Sequence, residues 1–273
     1  MVSSSPRVSV IVPTFNRPEF LPRALRSLGA QTFDDFEVIV VNDAGSPTEA
    51  IALEHGPAGK VTYFRLAMNV DRAAARNAAL RLARGRYVAY LDDDDWFLPH
   101  HLATLVGALE RGARVAYTDA RRIREEKREG KYVRVSEDVP YAREFDATQL
   151  LLTNYIPITC MMHERALLEE IGDFDAGLRV LEDWDLWIRM SRVTPFVRVP
   201  GVTCEFSWRV DGSSTTSDSA ALFKKIEQRI FLRYLDDVRA VPPRSRSASA
   251  IPARVPGRAR QARGLRRGRG ASR

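Results

Sequence analysis

Two rhythms alternate along the first half of the chain. "VSVIVP" (8–13), "FEVIVVND" (36–43) and "RYVAYL" (86–91) are short runs with few polar breaks. That is how strands buried on both faces read. "KVTYFRLAMN" (60–69) and "ARVAYTDA" (113–120) hold two further strands. Between them, "PEFLPRALRSLGAQ" (18–31) sets Leu21, Leu25 and Leu28 at helical spacing. "DRAAARNAALRLARG" (71–85) predicts an alanine-rich helix closed by Gly85, and "PHHLATLVGALERG" (99–112) another helix. Short buried strands alternating with helices predict an α/β chain built on a parallel sheet.

The rhythm changes after Ala120. "RRIREEKREGKYVRVSED" (121–138) is densely charged with a turn at Gly130, which predicts an exposed hairpin or mobile loop. "FDATQLLLTN" (145–154), "IPITCMMHERALLEEIG" (156–172) and "VLEDWDLWIRMSR" (180–192) read as helical or mixed segments. "FVRVPGVTCEFSWRV" (196–210) predicts a strand, and "SAALFKKIEQRIFLRYLDDVRA" (219–240) an amphipathic helix. Residues 241–273 are Arg, Ala, Pro, Ser and Gly with almost no large apolar residue, a composition expected to be disordered. The expected organisation is therefore a first half, 1–120, a second half, 121–240, and a tail, 241–273. No internal repeat is visible.

The formal charge of +7 first suggests an acidic partner. Its distribution removes that reading for the body. Residues 241–273 carry ten arginines and no acid, and setting those ten charges aside leaves residues 1–240 at −3. The tail also lacks interleaved aromatics, so no specific nucleic-acid partner is expected. Weak attraction to an anionic membrane surface remains open to it. Two cysteines, Cys160 and Cys204, are too few for a disulfide scaffold and predict a buried reduced pair, in keeping with a cytoplasmic protein. The opening "MVSSSPRVSVIVPTF" reads as a strand rather than a signal peptide, and no apolar run approaches the ~18 residues of a membrane span.

Chemistry concentrates in two places. In "YVAYLDDDDWFLP" (87–99) four carboxylates follow a buried-type strand directly. Ligands of open parallel sheets bind at the carboxyl ends of strands, so Asp43 and Asp92–Asp95 are expected on one rim. Helix capping accounts poorly for the run, because Pro99 suits the first helical position and leaves Asp95 too far upstream. A hard divalent cation accounts for it better, since it binds oxygen ligands and removes their mutual repulsion. The second place is "LEDWDLWIRM" (181–190). On a helical wheel Leu181, Trp184, Trp187 and Ile188 form an apolar arc. Glu182, Asp185 and Arg189 form a polar face. Asp183 stands at the edge of the arc, where partial desolvation suits a general base, although a plain surface acid fits the segment equally.

Four stretches, "VSVIVPTFNRPEFLPRALRSLGAQTFDDFEVIVVNDAGSPT", "ARNAALRLARGRYVAYLDDDDWFLP", "GDFDAGL" and "EDWDLWIRM", resemble in order and spacing the signatures of family 2 glycosyltransferases. The resemblance covers roughly residues 6–215. It implies the GT-A fold, a Rossmann-like, mostly parallel central sheet flanked by helices, with an acceptor-binding C-terminal half. It also implies sugar transfer with inversion from a nucleotide-sugar, UDP- or dTDP-linked, to a glycan or lipid-linked hydroxyl acceptor, with Mn²⁺ or Mg²⁺. Carried over by position, Pro13, Thr14, Asp43, Arg76, Asp92 and Asp93 fall to the nucleotide-sugar, with Asp43 at the base. Asp94, Asp95 and Asp211 fall to the metal, Asp183 to the catalytic base, and Asn154 and Trp184 to the acceptor. Val70 and Asp71 stand where the family often has glycine, and Asp211 where it often has histidine. A sugar-phosphate nucleotidyltransferase is the competing enzyme reading, but "VPTFNRPEF" lacks the glycine-rich basic loop such enzymes use. A non-enzymatic anionic-surface binder acting through the tail is the third. Of the remaining residues, His100, His101 and His163 are expected to be solvated near helix starts, and Trp96 to line a sugar pocket or fill the core.

Overall fold

The structure, a computed structural model, describes residues 5–209, 211 and 220–240. The arginine-rich tail lies outside the described residues.

The chain order begins β1 (Val8–Thr14), α1 (Leu21–Gly29), β2 (Phe36–Asn42), α2 (Glu49–His55), β3 (Val61–Arg65), α3 (Asp71–Leu80) and β4 (Tyr87–Tyr90). Every residue of β1, β2 and β4 is buried, as their unbroken apolar runs require. These strands pair in parallel in the order β3-β2-β1-β4. That order reverses direction at β1, the place where such sheets open a ligand crevice at their carboxyl ends. α1 buries Leu21, Ala24, Leu25 and Leu28, one stripe of a helix, in the common core.

The rest of the chain mixes parallel and antiparallel pairing, with a strand where the sequence expected helix or mixed structure. It runs through β5 (Trp96–Phe97), α4 (His101–Glu110), β6 (Val115–Arg128), β7 (Lys131–Asp138) and α5 (Ala147–Leu150). A 3₁₀ turn (Ile158–Cys160), β8 (Met161–Glu164), α6 (Leu167–Ile171), α7 (Glu182–Ser191), β9 (Val197–Arg209), α8 (Ala220–Arg233) and α9 (Leu235–Ala240) complete it. β8 inserts between β4 and β6, antiparallel to both, and carries one sheet across the two halves. β6 is longer than expected. It continues from the buried core into the charged segment and turns into β7 at Glu129 and Gly130, whose φ of 49° and 81° suit a tight hairpin turn. The segment 121–138 is thus a hairpin whose inner half pairs with β9.

Three local expectations change. α3 stops at Leu80, so Gly85 does not cap it. Gly85 is where the chain presses on β1: a Cβ there would lie 2.5 Å from the Ser9 nitrogen and 2.7 Å from the Val8 carbonyl carbon. Gly85→Ala is expected to cost about 1–3 kcal/mol, the usual scale of overpacking. A urea midpoint equal to wild type would refute that. Second, α4 begins at His101, two residues after Pro99, because Trp96–Phe97 spend themselves as β5. His101 is fully buried, stacked on Phe97 and bonded to Thr203 at 2.7 Å, and burial lowers its pKa to about 3. Third, His163 lies in β8, not at a helix end. Its Nδ1 faces the Glu164 carbonyl at 2.8 Å, so it carries the proton, and Nε2 accepts from the Tyr90 hydroxyl at 2.8 Å. Burial lowers its pKa to about 4. Both cysteines are buried and unpaired, as expected. No helix among the described residues is long and apolar enough to cross a membrane.

Candidate active site

The carboxyl ends of β1, β2 and β4 open into a cleft of about 700 Å³. Thr14 ends β1, and the Asp43 amide donates to its carbonyl at 2.9 Å, so these two residues sit side by side on the rim. Asp43 is buried and aimed by two donors. Its Oδ1 accepts from the Val70 amide at 2.8 Å and its Oδ2 from Asn69 Nδ2 at 2.9 Å. Burial raises its pKa, and the Val70 and Asp71 backbone amides work against the rise. The donor-side loop carries Val70 and Asp71 where the family often has glycine. Asp71 itself adopts a φ of 65°, a left-handed conformation that aspartate reaches more readily than most residues.

The four adjacent aspartates avoid one another by facing different partners. The chain turns back within the run, the Asp95 amide donating to the Asp92 carbonyl at 3.1 Å. Asp92 Oδ1 accepts from Arg76 at 2.5 Å. Asp93 points inward, accepting from Thr14 Oγ1 at 2.8 Å and pairing with Arg17 at 2.6 Å. Asp94 Oδ2 holds both Arg17, at 2.9 Å, and the fully buried Arg209, at 2.6 Å. Asp95 accepts from the Thr159 hydroxyl at 2.6 Å and the Ser207 amide at 3.0 Å. Three arginines therefore compensate much of the charge that the sequence reading assigned to a metal.

The compensation is uneven. Burial opposes the charge of Asp92, yet Arg76 and Arg72 hold its carboxyl below the usual carboxylate range. Burial pushes Asp93 up to about 7 against the pull of Arg17, with Asp94 adding to the rise. Burial and the charges of Asp94 and Asp92 push Asp95 well up. A carboxyl whose folded pKa is raised stabilises the fold below its unfolded value, near 3.9, and loses that contribution as pH rises through the folded value. The melting temperature of the metal-free protein should therefore climb as pH falls from about 8 to about 6.5. Below that, His101 and His163 oppose the trend, because they charge in the unfolded chain and stay neutral when folded. A flat melting temperature between pH 8 and 6.5 would show that Asp93 and Asp95 are ionised in the fold.

Across the cleft, α7 starts after Leu181, whose φ of 59° turns the chain into the helix. Asp183 is half-buried. Its Oδ1 accepts from the Trp184 amide at 2.8 Å and its Oδ2 from Asn154 Nδ2 at 3.1 Å. Burial, then the neighbouring Glu182 charge, raises its pKa to about 6, while Asn154 and Arg76 restrain the rise.

The polar face predicted for α7 is not solvated. Glu182 is buried and bonded to Arg76 at 2.5 Å. Asp185 is fully buried, accepting from Arg189 at 2.9 Å, Arg233 at 2.6 Å and the Tyr234 hydroxyl at 2.7 Å.

Of the residues singled out in sequence, Pro13, Thr14, Asp43, Arg76, Asp92, Asp94, Asp95, Asn154 and Asp183 all line this one cleft. Asp93, Trp184 and Asp211 do not. Asp93 lies beneath the floor as a strut to Thr14 and Arg17. Trp184 is a core residue 1% exposed, its indole N–H donating to the Leu150 carbonyl at 2.6 Å, and so offers no surface to an acceptor. Asp211 is exposed and accepts from the Tyr132 hydroxyl at 2.9 Å, away from the cleft lining. Trp96 serves neither expected role: it donates to Glu205 at 2.6 Å and stacks under Arg23.

The sequence reading missed Arg17, Arg72 and Arg179, three cations that line the cleft. Arg17 had a signal, since it stands three residues past the end of β1. Tyr141, Phe206 and Trp208 also line it.

Among the described residues no group of three or more acidic, histidine or cysteine side chains is arranged to hold a metal. Asp92 and Asp94 nevertheless both line the cleft, and each has one carboxylate oxygen, Oδ2 and Oδ1, that accepts no hydrogen bond from a described residue. Mg²⁺ characteristically takes one or two carboxylates and completes its shell with phosphates and water. That pair fits a cation that arrives with a diphosphate. Asp95, with both oxygens engaged, and Asp211, off the cleft, do not fit.

The fold is that of the GT-A glycosyltransferases, with an acidic, arginine-lined cleft at its strand ends. The sequence model described as Glycosyl transferase family 2 matches residues 9–172, and the chain belongs to that family. It is similar to "Uncharacterized glycosyltransferase YwdF" of Bacillus subtilis, with 29% identity over 82% of each chain. A glycosyltransferase of Haemophilus influenzae is 30% identical over 81% of this chain and 74% of its own length. In fold, the chain is similar to S. aureus TarS 1–349 crystallised with UDP-GlcNAc, at a TM-score of 0.65 and 21% identity, over 84% of this chain and 67% of that one. The nucleotidyltransferase and surface-binder readings are not favoured by these likenesses.

Proposed function

We propose that the protein transfers a sugar, with inversion, from a nucleoside-diphosphate donor to a hydroxyl of a glycan or lipid-linked acceptor. One observation carries the reading: a single cleft holds the oriented strand-end acids Asp43, Asp92 and Asp94 together with a half-buried Asp183 whose pKa is near 6. TarS was crystallised with UDP and with UDP-GlcNAc, which favours a UDP-sugar for this chain as well.

Thr14 and Asp43 take the nucleoside, Asp43 accepting from a ring N–H of the base. Arg17, Arg72 and Arg179 are placed to meet the diphosphate charge. A divalent ion held by Asp92 and Asp94 would supply Lewis-acid stabilisation of the leaving group. Asp183 removes the proton of the acceptor hydroxyl. The acceptor oxygen forms its bond to the anomeric carbon from the side opposite the diphosphate. The anomeric C–O bond breaks, and its electron pair leaves with the nucleoside diphosphate. Asn154 holds the base carboxylate in line by its bond at 3.1 Å. A nucleotide-sugar panel with Mn²⁺, scored by thermal shift and donor hydrolysis, tests the reading. UDP- or dTDP-sugars should protect the fold and be slowly hydrolysed. Protection by none of the panel would refute it.

A further inference from the structure

Arg76 is shared between the two sides of the cleft. It rises from the middle of α3 and is 1% exposed. One arm holds Asp92 at the end of β4, and the other holds Glu182 at the start of α7, each at 2.5 Å. Its Nε is buried with no hydrogen-bond partner among the described residues, so the guanidinium is held through these two arms. Arg72, one turn earlier on α3, stands 3.9 Å from the same Glu182 oxygen. A buried carboxylate on a buried guanidinium is a costly arrangement, and replacing such pairs by apolar residues is often neutral or stabilising. Stability alone is a weak reason for it. Its placement is informative: Glu182 is the residue next to Asp183.

We propose that Glu182, acting with Arg76, is the residue that positions and activates Asp183. The inference rests on the reading of Asp183 as the base. Arg76 ties the first turn of α7 to the donor-side carboxylate, so that the base keeps a fixed place relative to Asp92. Glu182 also sets a negative charge beside Asp183, which strengthens its hold on a proton. Three further titratable groups interact electrostatically with Asp183: Arg76 from α3, Tyr141 from the β7–α5 loop and Cys160 from the 3₁₀ turn. Of these only Arg76 is charged at neutral pH, and it works against Glu182.

Glu182→Gln keeps the side-chain length and an oxygen for Arg76 but removes the charge. Both consequences act in one direction. The repulsion on Asp183 disappears, and the attraction of Arg76 for that carboxylate is no longer offset by a charge at Glu182. In the full chain labelled with ¹³C-aspartate, the carboxyl signal missing from Asp183→Asn identifies the base. In wild type it should titrate near 6. In Glu182→Gln its proton affinity should fall by about tenfold or more, the scale of one nearby charge. Glu182→Asp restores the charge and should bring the titration back toward wild type.

An unmoved titration in Glu182→Gln overturns the proposal, and so does Glu182→Asp behaving like Glu182→Gln. Loss of the folded spectrum in Glu182→Gln overturns it too, since Glu182 would then be a requirement of the core. None of these readouts needs turnover. The base reading fails separately, if Asp183→Asn transfers sugar like wild type.

Discussion

Asp183→Asn should lower sugar transfer by about 10²–10⁴-fold, the usual contribution of a positioned general base, while leaving UDP binding in Mn²⁺ near wild type. The amide has the shape of the carboxylate and can still meet Asn154 and the Trp184 amide, but it cannot accept the proton of the acceptor. Asp183 and the acids of the strand ends lie on different elements, α7 and the β4 rim, so the donor side should be spared. The wild-type rate should have an acid limb near pH 6, because a base works only when ionised and burial raises Asp183 to about that value. Activity is retained above the limb and lost as pH falls through it. Transfer within about tenfold of wild type would remove Asp183 from the base role. An equal loss of UDP affinity would make it a donor ligand instead.

Asp94→Ala should abolish the thermal protection given by UDP with Mn²⁺. The carboxylate lines the cleft, has one oxygen available for a cation and uses the other to hold Arg17 and Arg209. Removing it takes away a ligand and loosens Arg17, itself a cleft cation. The unliganded protein should melt earlier as well, because Arg209 is fully buried and loses a carboxylate at 2.6 Å. The decisive quantity is accordingly the difference in melting temperature with and without UDP, taken for each protein separately. Protection of the variant equal to that of wild type would overturn the assignment of Asp94 to the donor–metal site.

Much of the donor half was legible because its strands are buried on both faces. β1, β2 and β4 announce themselves as apolar runs, and the residues just after them fall on the rim by topology alone. The second half hid itself. β8 is four residues long, Met161–Glu164, wedged between a 3₁₀ turn and a short helix, and only its pairing with β4 and β6 makes it a strand. The helical wheel of α7 gave the right periodicity and the wrong solvent. It shows which residues share a face but not what covers that face. Glu182 is covered by Arg76, 106 residues away in sequence, and Asp185 by Arg233, 48 residues away. The short α2, with only Ala52 fully buried, left too little apolar pattern to be seen.

The run Asp92–Asp95 is uniform as text and divided as structure. Because a turn aims each carboxylate at a different element, the four letters are four separate jobs: a link to α3, an interior strut, an arginine anchor and a tie to β9. Such a stretch is intolerant of slippage. Deleting one aspartate leaves three identical residues in print, yet every downstream side chain inherits its neighbour's direction and none meets its proper counterpart. A homopolymeric acidic tract of this kind is therefore a poor place to compare relatives by gapped alignment, and correspondences through it should be drawn from the partners, Arg76, Thr14, Arg209 and Thr159, rather than from the aspartates themselves.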